Sequence, residues 1–202
     1  MSRHYRATLF TPEVLAAQQA AYGQAQSTPP SDGPDSLGPD EADFIAACDS
    51  FYLASVNPEG WPYLQHRGGP PGFFHVLDPR TLAFADLRGN RQLLTVGHLA
   101  TEDRVALFLM DYPQRRRLKL LGHASTHSLA EDPALAARLA PAGIPTAHVE
   151  RYVRIRVVGF DWNCPKYITP RYTAPQVAQV VEPLRQRISE LEAQLRARPA
   201  VT

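Results

Sequence analysis

The sequence predicts a mainly β domain with peripheral helices, built as an antiparallel barrel or closed sheet of six or seven strands. Three observations predict it. Short apolar or alternating runs follow one another closely from Phe51 to Phe160. Turn residues separate them, as in Asn57-Pro58-Glu59-Gly60 and Asp78-Pro79. No strand runs into G-x-G-x-x-G and no G-x-x-x-x-G-K-[ST] occurs, so the doubly wound nucleotide folds have no fingerprint here.

The elements follow in order. Thr11-Pro12-Glu13 opens a helix with a capping hydroxyl, proline in the first turn and an acid near the positive end. Residues 24–39 are rich in Pro, Gly and Ser, and are expected to wrap a surface as an extended arm. A second helix is expected from Glu41 to Asp49, with Phe44, Ile45 and Cys48 as its buried stripe. Phe51–Val56 and Trp61–Arg67 form a hairpin, and Phe73–Leu77 and Thr81–Asp86 a second pair. Gln92–Leu99 reads as helix, Arg104–Asp111 as a central strand and Arg117–Ser128 as another strand. Asp132–Leu139 reads as a short helix. Val149–Phe160 alternates, with Val149, Arg151, Val153, Ile155 and Val157 on one face.

The last segment is different. Val177, Val181, Leu184, Ile188, Leu191 and Leu195 recur at spacings of four and three, a heptad seam. The seam can lie on its own body or meet a second subunit. Pro183 is expected to kink the helix or restart it. The chain thus divides into an N-terminal helix and arm (1–39), a barrel (40–172) and a C-terminal amphipathic helix (173–202).

Composition sets bounds. At 202 residues and a formal net charge of +1, the chain suffices for one core, with no electrostatic reason to expect nucleic acid or an acidic membrane as partner. No apolar run has membrane-helix length and the N-terminus lacks a signal-like core, so a cytoplasmic location is expected. Cys48 and Cys164 are then thiols. Cys164, followed by Pro165 and Lys166, is either a redox thiol or a packed loop residue. His123 and His127 share a strand face but sit more than about 10 Å apart, so they make poor metal co-ligands.

The stretch from His66 to Gln92 carries the chemistry. H-R-G-G-P-P-G-F follows one strand and F-A-D-L-R-G-N-R-Q ends another, giving two basic, glycine-bearing corners. Glycine lets backbone approach a ligand closely, and arginine meets phosphate with a planar fork. The two corners are either a phosphate site or two solvated turns. Asp86 either lines a ligand edge or caps the Arg88-Gly89 turn.

These corners, with R-V-A-L-F-L-M-D-Y and R-R-R-L-K-L-L-G-H-A, resemble the FMN-binding split barrel of the pyridoxamine 5′-phosphate oxidase-like family from about Asp40 to Phe160. T-P-x-V-x-A-A-Q and D-W-N-C-P-K-Y-I-T-P-R-Y resemble its bacterial flavin-nucleotide-binding branch. The resemblance implies a split β-barrel homodimer with FMN in a cleft between subunits. It assigns cofactor contacts to His66, Arg67, Gly68 and Gly69 at the first corner, and to Phe84, Asp86, Gly89, Asn90, Arg91 and Gln92 at the second. Lys119 joins them from the basic stretch, where Arg115, Arg116 and Arg117 either reach an anion or are solvated. Val105–Met110 and Arg115–Lys119 resemble interface elements.

Two departures narrow the activity. The arginine-bearing C-terminal segment that grips pyridoxal phosphate in the true oxidases is replaced by N-C-P-K-Y-I and the heptad helix, and no histidine lies beyond His148 for haem use. The expected function is an FMN-dependent oxidoreductase of unassigned substrate. The alternatives are a flavin carrier or sensor without turnover, and a purely structural dimerisation module.

Overall fold

A computed structural model describes residues 2–162 and 165–197. The elements are α1 (Arg3–Leu9), α2 (Pro12–Tyr22), α3 (Pro39–Ala47), β1 (Ser50–Val56), β2 (Pro62–Gly68), β3 (Phe74–Asp78) and β4 (Thr81–Leu87). Then come α4 (Leu94–Leu99), β5 (Arg104–Asp111), β6 (Arg116–His127), α5 (Pro133–Leu139), a 3₁₀ turn (Thr146–His148), β7 (Val149–Trp162) and α6 (Ala174–Arg196). The seven strands form one antiparallel sheet in the order β2-β1-β5-β6-β7-β4-β3. The edge strands β2 and β3 do not pair with each other, so the ladder stays open and the barrel is split.

Period-2 alternation sends one side of each strand into a common core. Phe51 and Leu53 of β1, Leu107 and Leu109 of β5, Leu118 and Leu120 of β6, and Val153 and Ile155 of β7 meet Phe74 and Phe84 there. Phe51 stacks on Phe74 at 4.4 Å and meets Phe84 edge-on at 5.3 Å. Phe44 and Ile45 of α3 cover one end, as their helical spacing predicts. A smaller cluster on the other face joins Ala83, Ala85 and Tyr152 to Leu135 and Leu139 of α5. Register shifts at Asp86/Leu87, and Val149 belongs to this second cluster instead of sharing the face of Val153.

Three features differ from expectation. Helix α1 was not foreseen; its polar sequence is held from outside. Asp35 accepts from the backbone N–H groups of His4 (3.2 Å) and Tyr5 (3.1 Å) and from the Ser2 hydroxyl. Gly159 makes room for this helix: a Cβ there would lie 2.7 Å from the Tyr5 nitrogen. The arm of residues 24–39 does wrap the surface, with Asp35 bonded to the Val158 carbonyl, yet it also sends Leu37 into the main core.

Of the two outcomes expected at Pro183, the restart does not occur: helix α6 runs on through it. The helix is solvent-exposed there, so water can take the Gln179 carbonyl that Pro183 cannot donate to. Its start is a capping box between Thr173 and Gln176. Leu184, Ile188, Leu191 and Leu195 are all exposed, so the seam does not lie on the body of its own chain.

Candidate functional site

A polar cleft opens where the edge strand β2 curls back towards the end of β4. Tyr63, Gln65 and Arg67 project into it from alternate positions of β2. Asp86 faces them from β4, Arg151 from β7, and the segment 89–96 closes the rim. The enclosed space is about 40 Å³. That is room for about three water-sized groups, the scale of phosphate oxygens and not of a flavin ring.

Asp86 organises the cleft. It is buried, and its two oxygens accept separately from Arg67 Nη1 at 2.5 Å and Arg151 Nη1 at 2.9 Å. Arg151 is opposite Asp86 in the β4–β7 register. It also donates to Glu150, which pairs with Arg88. Arg67 lies 5.8 Å from the Phe84 ring centroid, resting on the core. Its Nε is buried with no hydrogen-bond partner among the described residues. The cleft lining holds three arginines against two carboxylates, a formal charge of +1.

The second corner supplies free donors. Arg88 N–H bonds the His148 carbonyl, and Gln92 N–H bonds the Asn90 side chain at 3.1 Å. The N–H groups of Gly89, Asn90, Arg91, Leu93, Leu94 and Thr95 have no acceptor among the described residues. Arg91 (φ 61°) and Leu93 (φ 54°) sit in the left-handed region, where non-glycine residues are strained. Left-handed residues in a turn are a backbone conformation from which anion-binding concavities are built. The Arg91 guanidinium is exposed and makes no hydrogen bond or ion pair among the described residues. Thr95 anchors the segment by donating to Gln65 at 3.0 Å, and His98 bonds the buried Ser55 hydroxyl at 2.9 Å.

The expected site residues therefore separate. Arg67, Asp86, Gly89, Asn90, Arg91 and Gln92 come together in the cleft. Phe84 is a core residue beneath it. Asp86 does not cap the Arg88-Gly89 turn; it binds two arginines. His66 faces the other side of β2, edge-on to Tyr52 at 5.6 Å, because it is one residue out of phase with Arg67. The Gly68-Gly69 corner offers no bare donor at Gly69, whose N–H bonds the Asp49 carbonyl at 2.9 Å. Gly69 is needed for packing: a Cβ there would lie 2.6 Å from the Phe73 ring. Lys119 pairs with buried Asp161 at 2.6 Å under Tyr5, on the outer face of β6. Arg116 stacks on Trp162 at 4.6 Å and Arg117 lies over Phe108 at 5.6 Å, so neither is a simply solvated residue. Cys164 falls outside the described residues, and Lys166 is exposed over Tyr167.

Tyr63, Gln65, Thr95, Glu150 and Arg151 were not foreseen. Period 2 backwards from Arg67 finds Gln65 and Tyr63. Arg151 required the β4–β7 register, which joins residues 65 positions apart.

Residues 37–155 match the family model described as pyridoxamine 5′-phosphate oxidase. The chain belongs to that family. No curated protein matches it. Among solved structures it is similar to HupZ of Group A Streptococcus, at 12% identity and TM-score 0.49, covering 67% of this chain and 99% of that one. A putative pyridoxamine 5′-phosphate oxidase from Lactobacillus delbrueckii gives 20% identity and TM-score 0.47, covering 62% and 93%. An FMN-binding protein from Syntrophomonas wolfei gives 9% identity and TM-score 0.46, covering 61% and 83%.

Proposed function

We propose that this chain binds FMN, with the phosphate in the cleft of Arg67 and Arg91, and serves as an FMN-dependent oxidoreductase. One observation carries the reading. A carboxylate-clamped arginine with an unsatisfied Nε, a free arginine and several unpaired N–H groups line one space of phosphate size. These donors suit a dianionic monoester. Asp86 holds Arg67 in position, and the fork of Arg91 remains free to meet the anion from the solvent side. When bound, FMN supplies the hydride or electron chemistry. The protein contributes binding and orientation, since both carboxylates lining the cleft are already engaged by arginines.

That same engagement favours a second reading, a flavin carrier or sensor, because among the described residues no carboxylate or imidazole free of an arginine lines the cleft, and Tyr63 supplies its one phenol. Titration of purified protein with FMN, riboflavin and FAD, followed by NADH or NADPH under anaerobic conditions, tests both. FMN bound in preference to FAD, reduced and then reoxidised with turnover of an acceptor, supports the oxidoreductase. Tight FMN without reduction supports the carrier. No flavin binding contradicts both.

The unit is proposed to be a homodimer. The outer face of β2, β1, β5 and β6 presents Leu64, Tyr52, Ala54, Ala106, Phe108 and Leu121 around an apolar groove of about 450 Å³. Leu64 is 62% exposed. No helix among the described residues is long and apolar enough to cross a membrane.

A further inference from the structure

A second constellation lies on the outer face of β6, across the sheet from Arg67. Ser125 Oγ is 2.8 Å from His127 Nε2, and His127 Nδ1 is 2.8 Å from Glu131 Oε2. Ser125 and His127 are two residues apart on one strand, so both side chains leave the same face. The loop after β6 brings Glu131 back against the imidazole. Its other oxygen accepts from the Ser128 N–H at 2.8 Å, which fixes the carboxylate. The imidazole lies flat on the buried ring of Tyr152, with centroids 5.0 Å apart and 12° between planes.

The order of partners decides the roles. A carboxylate on Nδ1 makes that nitrogen the donor and leaves the Nε2 lone pair facing the serine hydroxyl. A nucleophile within reach of a base that is oriented by a third group is the arrangement of covalent catalysis. The hydrogen bond from His127 also holds the Glu131 carboxyl below its ordinary range, in keeping with a carboxylate in that place.

The surroundings choose the substrate. Ser125 is exposed on a groove of about 490 Å³. Across β7, Arg154 stands opposite Ser125 and Arg156 opposite His123. Neither guanidinium makes a hydrogen bond or ion pair among the described residues; the groove also holds two carboxylates, Asp103, which is taken by His123 at 2.8 Å, and Asp78, which is tied to the Arg80 N–H and lies near enough to Arg154 to feel its charge. Directly opposed side chains stand about 4.5–5.5 Å apart at Cβ, so an acyl group on Ser125 is within reach of Arg154.

We propose that Ser125, His127 and Glu131 form a nucleophile, base and orienting carboxylate that hydrolyse small esters whose acyl part carries a carboxylate. Ser125 Oγ adds to the ester carbonyl carbon as its proton passes to His127 Nε2. The carbonyl oxygen takes the negative charge and faces Arg154, while Arg156 holds the substrate carboxylate. The tetrahedral adduct collapses, the ester C–O bond breaks, and the leaving oxygen takes the proton from Nε2. Water then adds to the acyl-serine, giving a proton to Nε2, and the acid leaves as Ser125 recovers its proton. No oxidant or reductant is needed, and the site is independent of the flavin cleft.

The test uses the whole purified protein with mono-4-nitrophenyl succinate and 4-nitrophenyl acetate, and a fluorophosphonate probe read by peptide mass spectrometry. The expected result is probe on the Ser125 peptide and turnover that favours the succinyl ester. Ser125→Ala and His127→Gln should each lower turnover by about 10²–10⁴-fold. Both should keep wild-type circular dichroism and flavin binding, which separates lost chemistry from lost folding. Arg156→Ala should narrow the preference for the succinyl over the acetyl ester by about tenfold. No turnover above buffer, equal turnover in Ser125→Ala, or probe on another serine such as exposed Ser27 would each overturn the proposal.

Discussion

Arg67 and Asp86 meet at 2.5 Å although four strands lie between β2 and β4 in the sheet order. The hydrogen-bonded ladder therefore does not bring them together; curling of the sheet does. Their contact joins the edge strand to the far half of the sheet at the mouth of the core, and it fixes one wall of the proposed phosphate cleft.

Removing the shared carboxylate should be severe. Side-chain exposure is 5% for Asp86, 15% for Arg67 and 20% for Arg151. Asp86→Ala leaves two partly buried arginines without their counter-charge, which costs about 3–5 kcal/mol. Urea denaturation should report that loss, and a change within 0.5 kcal/mol of wild type would contradict the clamp.

The glycines make a paired prediction. A Cβ at Gly122 would lie 2.6 Å from Ile155 Cγ2 and 2.8 Å from the Arg156 carbonyl oxygen, at the irregularity in the β6–β7 ladder. Gly122→Ala should cost about 1–3 kcal/mol. Gly97, inside α4, has nothing within 4 Å, so Gly97→Ala should be neutral or stabilise by about 0.5–1 kcal/mol. Thermal unfolding of the two variants should move in opposite directions or only for Gly122.

Cys48 gives a pH dependence. Burial, then the nearby Asp111 and Asp49 carboxylates, push its thiol from about 9 up to about 12. The folded state keeps the neutral form, so the associated stability is complete below pH 9 and declines as pH rises from 9 towards 12. Cys48 should resist iodoacetamide at pH 8 in native protein and react after denaturation. Peptide mass spectrometry would show native alkylation if the burial argument were wrong.

The dimer is tested through its apolar face. Leu64 is exposed in the single chain, so Leu64→Arg should leave the fold intact. Light scattering at micromolar concentration should give a dimer for wild type and a monomer for this variant. A monomeric wild type with flavin bound would defeat the assignment.

What the sequence revealed divides along a physical line. Strands with local alternation, such as Arg104–Asp111, were legible because one face packs into a core. Helix α1 was not, since its N–H groups are satisfied by Asp35, some thirty residues away. Arg67 and the 89–92 corner were legible as two basic corners, and the fold brings them to one cleft. The role of Asp86 was not, because it depends on a curl that brings β2 to β4 and on the register that sets Arg151 opposite. His66 stands apart from the cleft for a simpler reason: motif letters ignore which side of the strand each residue faces.

The central claim is that FMN phosphate is held at the second corner, and Arg91 tests it most directly because that side chain supports nothing else in the fold. Arg91→Ala should weaken FMN about ten- to a hundredfold while riboflavin, which has no phosphate, binds as to wild type. Exposed Arg185→Ala should change neither. Equal FMN affinity in Arg91→Ala and wild type, or equal loss of both flavins, would contradict the account.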